Sequence, residues 1–142
     1  MPDAATRLAG YWRWISMRIE FADGSPGVDR YGTDPQGGVV FTEGGRIMAL
    51  IAAPDRRTAE SDADRAALFR SFAAYTGRFR QESETTFATE VDATWDPAWS
   101  GVQRREFSID GDTLHVRTSL QTHPSFPGKE LWMIGVARRT ED

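Results

Sequence analysis

Cysteine is absent from the 142 residues, which excludes disulfides, thiol catalysis and cysteine-type zinc sites. Histidine is nearly as scarce: His115 and His123 are too few for a histidine-built metal site, and they disfavour a Ser-His-Asp triad. The chain also lacks a phosphate-cradling glycine loop, a dinucleotide fingerprint and any metal-ligand spacing, so neither a metal nor a cofactor is expected. Basic residues number 17 against 21 acidic ones, with no basic block; nucleic acid and anionic membrane are therefore not expected partners. No apolar run reaches the roughly 18 residues of a membrane span, and the start "MPDAATRLAG" lacks the basic and hydrophobic regions of a signal peptide. A cytoplasmic location is the expectation.

The length is that of one domain, residues 1–142, able to bury its own core. Aromatics make up 11% and include five tryptophans, several in strand-like stretches where burial in a core is expected. Apolar and polar residues alternate with period two over about 10–21, 36–43, 45–52, 75–82, 85–93, 102–109, 112–120 and 129–139, which predicts eight strands. Short connections at Glu43-Gly44-Gly45, Glu82-Ser83-Glu84 and Asp110-Gly111 are hairpin material and imply up-and-down order. The predicted fold is all-β: an eight-stranded antiparallel up-and-down barrel with room inside for side chains and one small ligand. Ser61-Asp62-Ala63-Asp64 followed by Leu68, Phe69, Phe72 and Ala73 predicts one helix over about 61–74, between the third and fourth strands, acting either as a lid or as wall cover. Segments 22–35 and 121–128 read as loops.

The stretch "LAGYWRW" places Trp12, Trp14 and Ser16 on one strand face. Trp12 is expected to plug the closed end of the barrel beneath Arg138 or Arg139, with Trp14 as the first pocket wall above it. Several further stretches, in this order and spacing, resemble the lipocalin-like domain family. They are Gly10-Tyr11-Trp12-Arg13; Tyr31-Gly32-Thr33-Asp34-Pro35-Gln36-Gly37 leading to Pro54-Asp55-Arg56; Tyr75-Thr76-Gly77; Pro97-Ala98-Trp99-Ser100-Gly101; and Gln103-Arg104-Arg105-Glu106-Phe107. The resemblance covers nearly the whole chain and implies a lipocalin-like (calycin) barrel, but no particular activity. Where the family often carries a histidine before the Pro-x-Trp stretch, this chain has Thr89 and Glu90.

A two-residue turn at Asp110-Gly111 would pair Phe107 with Leu114, Arg105 with Val116 and Gln103 with Thr118, and Glu106 with His115 on the opposite face. Gln103 and Arg105 would then point inward, with Arg105 either in a structural ion pair or aimed at a ligand. On the fifth strand Phe87, Thr89 and Val91 should face inward; a one-residue slip would instead bring in Glu90 as a general base. Tyr31, Tyr75 and Arg78 are placed near the mouth, and "WDPAW", Trp95 to Trp99, at the rim. The expected ligand-binding set is Trp14, Ser16, Tyr31, Phe41, Phe72, Tyr75, Phe87, Trp99, Gln103, Arg105, Phe107 and Val116. The candidate catalytic set is Arg105, Tyr75 and Glu90.

The first functional reading is a module, monomeric or homodimeric, that binds a small hydrophobic or aromatic molecule. The alternative is a cofactor-independent isomerase, cyclase or hydratase acting on a polyketide- or terpenoid-like metabolite in the same cavity. A third reading is a protein-interaction role with the interior filled by side chains.

Overall fold

The computed structural model describes residues 7–123 and 125–140. Its strands are β1 (Gly10–Phe21), β2 (Val28–Asp29), β3 (Gln36–Phe41), β4 (Arg46–Ala52), β5 (Phe72–Gln81), β6 (Thr86–Thr94), β7 (Val102–Asp110), β8 (Thr113–Thr118), β9 (Gln121–Thr122) and β10 (Glu130–Thr140), with one helix, α1 (Asp62–Arg70), between β4 and β5. Eight of the strands run β1-β3-β4-β5-β6-β7-β8-β10, and β10 returns to pair with β1, closing an antiparallel barrel. The two-residue strands β2 and β9 add to β1 and β10 in segments that the sequence marks as loops.

The closed end follows from the first strand. Trp12 is fully buried, and its indole Nε1 donates to the Leu8 carbonyl at 2.7 Å. Of the two candidate cations it is Arg139 that covers the ring, 4.1 Å from its centre, while Arg138 points to solvent. The Arg139 guanidinium also donates to the carbonyls of Ala9 and Arg7. Above this plug, Phe87 meets Phe41, Phe79 and Phe107 edge-on at 5.6–6.1 Å, a favourable ring geometry. Together with Ile47, Leu114 and Ala137 they fill the lower half of the barrel.

Several elements depart from expectation for local reasons. Trp14 pairs with Ala137 and Ser16 with Val136, so Ile15 is an extra residue in β1. This bulge reverses the alternation: Met17, Ile19 and Phe21 continue the inner face, and Ser16 leaves it. In the hairpin β7–β8, Asp110 pairs with Thr113 and Arg105 with Thr118. The two-residue loop is thus Gly111-Asp112, with Gly111 at φ +61°. The register moves by two residues, which preserves every inward side chain but gives Glu106 to Arg117 (2.6 Å) instead of His115.

The helix is shorter than its pattern suggests. Ser61 caps it by accepting from the Asp64 N–H at 3.1 Å, but it ends at Arg70, and Phe72 and Ala73 belong to β5. None of its residues is buried. It is held instead by its C-terminal carbonyls: Arg30 donates to Arg70 O at 2.9 Å and Arg56 to Leu68 O at 3.2 Å, groups left without intrahelical partners at any helix end. Among the described residues no helix is long and apolar enough to cross a membrane.

Candidate functional site

The upper half of the barrel is open. A cavity of about 510 Å³ lies above the phenylalanine layer, within the range of small-molecule sites. Its lower wall is Trp14, Met17, Phe87, Val116 and Gly135. Glycine is required at 135, because a Cβ there would sit 2.8 Å from Trp14 Cζ3 and 3.0 Å from Met17 Cε. The missing side chain lets the Trp14 ring lie across β10. The indole Nε1 of Trp14 is buried and has no hydrogen-bond partner among the described residues.

The upper wall is built on the 95–99 turn. Asp96 Oδ1 accepts from the Ala98 N–H at 3.0 Å and the Asp96 carbonyl from the Trp99 N–H at 2.9 Å, while the Trp95 N–H donates to Ala74 O on β5 at 2.9 Å. These bonds hold Trp99 over the cavity, 4.6 Å from the Tyr75 ring and 5.6 Å from Trp95. Gln103 braces the same turn by donating to Ser100 O at 2.7 Å.

Arg105 reaches inward from β7, with the centre of its guanidinium 5.2 Å from that of the Trp99 ring. Nη1 donates to the Arg104 carbonyl at 2.8 Å. No carboxylate among the described residues comes within ion-pair distance of it. Burial pushes its pKa down, against a smaller upward pull from Tyr75, yet a guanidinium stays charged at neutral pH. Burial likewise pushes the Tyr75 phenol up, opposed by Arg105, so the phenol keeps its proton and remains a donor.

At the mouth stand Arg30, Tyr31, Phe69, Arg70, Phe72 and His123. Arg30 stacks on Tyr31 at 4.7 Å. The His123 Nδ1 accepts from the Ser125 N–H at 3.0 Å. Burial and then Arg30 lower its pKa, with Asp96 opposing; it is neutral at pH 7.

Of the residues singled out from the sequence, Trp14, Tyr31, Phe72, Tyr75, Phe87, Trp99, Gln103, Arg105 and Val116 line this cavity. Four do not. Ser16 is turned away by the bulge at Ile15. Phe41 and Phe107 face inward but lie in the filled lower half. Glu90 is exposed on the outer face opposite Arg78, because Phe87 and Thr89 take the inner positions of β6. It has no contact with the cavity, and Arg78, also exposed, is not at its mouth. Trp95 and Asp96 of the expected rim stretch also line the cavity, whereas Met17, Arg30 and His123 do so without having been singled out. Only the bulge brings Met17 in, and the other two sit on connections whose folding over the mouth leaves no periodic signal.

No curated protein matches the chain. The model of a lipocalin-like domain matches residues 9–139, which spans every strand of the barrel from β1 to β10, and the chain therefore belongs to the lipocalin-like domain family.

Proposed function

We propose that this barrel binds a small, largely apolar molecule in the cavity between Trp14 and Trp99. The observation that carries the reading is the division of the interior: the lower half is packed with rings, whereas the upper half encloses about 510 Å³ behind largely apolar walls. A barrel serving only as a scaffold for protein interaction would be filled along its whole length. The test is a titration with the neutral fluorophore N-phenyl-1-naphthylamine. A saturable one-to-one signal is expected, abolished by Val116→Trp, which fills the lower cavity. Absence of a saturable signal, or binding unchanged in the filled variant, overturns the reading.

One arrangement favours a catalytic variant of the same reading. Tyr75 and Arg105 flank Trp99 and are each other's electrostatic neighbours, a donor and a cation that could polarise a carbonyl in a cofactor-independent isomerisation, cyclisation or hydration. Tyr75→Phe would then abolish turnover of a bound substrate while leaving its affinity within a few-fold. We place the protein in the cytoplasm, as a monomer or homodimer.

A further inference from the structure

The charged side chains that line the cavity are mostly cationic. Arg105 commits one N–H to the Arg104 carbonyl and lies 5.2 Å from the Trp99 ring centre, and its remaining N–H groups have no carboxylate within ion-pair distance among the described residues. Trp14 Nε1 also has no partner among the described residues, but it is buried and gives no surface to the cavity. The protonated Tyr75 phenol lines the same space as a further donor. Asp96 is the single carboxylate lining the cavity, and it caps its own turn on the His123 side of the mouth. Three arginines, Arg30, Arg70 and Arg105, line the same space. This local excess of positive charge arises in a chain of net charge −4, so it belongs to the site and not to the molecule as a whole.

We infer that the ligand is an acid: an apolar, aromatic or polyene body carrying one carboxylate, or an equivalent enolate, whose two oxygens meet the Arg105 fork. This rests on the cavity-binding reading above. A neutral apolar ligand would seal the guanidinium away from water with no carboxylate to meet it, which is unfavourable for a charge. A carboxylate matches the fork geometrically and charge-assists the bond. The hydrogen bond to the Arg104 carbonyl and the Trp99 ring 5.2 Å away hold the guanidinium in place for the acid head. The body of the ligand then extends over Val116 and Phe87.

The test compares 2-naphthoate with its neutral methyl ester by isothermal titration calorimetry at neutral pH. The acid is expected to bind the wild-type chain at least tenfold more tightly than the ester. Arg105→Met should weaken the acid by roughly 10- to 100-fold, the range for a charged hydrogen bond, and the ester by less than threefold. Arg138→Met, at the far end of the barrel, should change neither ligand. Circular dichroism melts establish that each variant is folded; if Arg105→Met is not, Arg105→Gln takes its place. Equal affinity of acid and ester, or equal loss of both in the Arg105 variants, overturns the inference while cavity binding stands. Failure of both naphthyl ligands alongside binding of N-phenyl-1-naphthylamine does the same. Failure of all three ligands overturns the cavity reading itself.

Discussion

Replacing Arg139 by methionine isolates what holds the closed end of the barrel. The substitution keeps most of the side-chain volume, so the loss reports interactions and not a void. Two hydrogen bonds from a charged donor disappear, to the carbonyls of Arg7 and Ala9, together with a cation centred 4.1 Å over Trp12. Each charged hydrogen bond contributes about 1.5–3 kcal/mol and a cation over tryptophan about 0.5–2 kcal/mol. Arg139 is only half-buried, so the lower ends apply, and the expected loss is about 3–4 kcal/mol out of the roughly 5–15 kcal/mol of a typical domain. Urea unfolding followed by tryptophan fluorescence measures it; the melting temperature should fall by about 10 °C. Tryptic cleavage after Arg7 should accelerate, because both bonds anchor the segment that leads into β1. Arg139→Lys retains the charge but cannot reach two carbonyls while covering the ring, and should recover less than half of the loss. A methionine variant within about 1 kcal/mol of wild type, or full recovery by lysine, would refute this account of the closed end.

Two further predictions concern the mouth. Phe69 is 48% exposed at the C-terminal end of α1, so Phe69→Ala should change stability by under about 1 kcal/mol while speeding dissociation of N-phenyl-1-naphthylamine several-fold in stopped-flow measurements. A lowered melting temperature with unaltered kinetics would make α1 a wall cover and not a lid. At high pH, burial raises the phenols of both Tyr31 and Tyr75. The unfolded chain then releases their protons first, from about pH 10, and the linkage slope is negative. Unfolding free energy should be unaffected by these groups below that pH and fall above it, less steeply in Tyr75→Phe. Stability that stays flat or rises between about pH 9.5 and 11 would contradict the burial of these phenols.

How much of this was legible in the sequence depended on whether alternation alone could carry the point. Strand number, order and closure were, since hairpin chemistry and period two are local. The inward direction of Arg105 and Gln103 survived even though the β7–β8 register lies two residues from the expected one, because a shift of two preserves the face. A bulge has no such protection: nothing in "WRWISMRI" marks Ile15 as the extra residue, and Ser16 and Met17 exchange roles because of it. Depth along the barrel was equally hidden. Phe41, Phe87 and Phe107 look alike in alternation, yet only Phe87 sits at the boundary between packed and open halves. The helix was overextended because Phe72 and Ala73 continue a helical spacing, whereas their pairing with Ala52 and Ile51 on β4 draws them into the sheet.

The way Arg139 clasps the carbonyls of Arg7 and Ala9 also decides how the molecule can be handled. Residues 7–9 and 139 meet at the plugged end, so the first and last described residues lie on the side away from the mouth. Tethered at residue 7 or residue 140, the barrel would present its opening outward. The same adjacency makes it a candidate for circular permutation: a short linker could join the two ends, with new ones cut at the exposed Ser83-Glu84 turn, also at the plugged end, leaving the cavity rim uninterrupted.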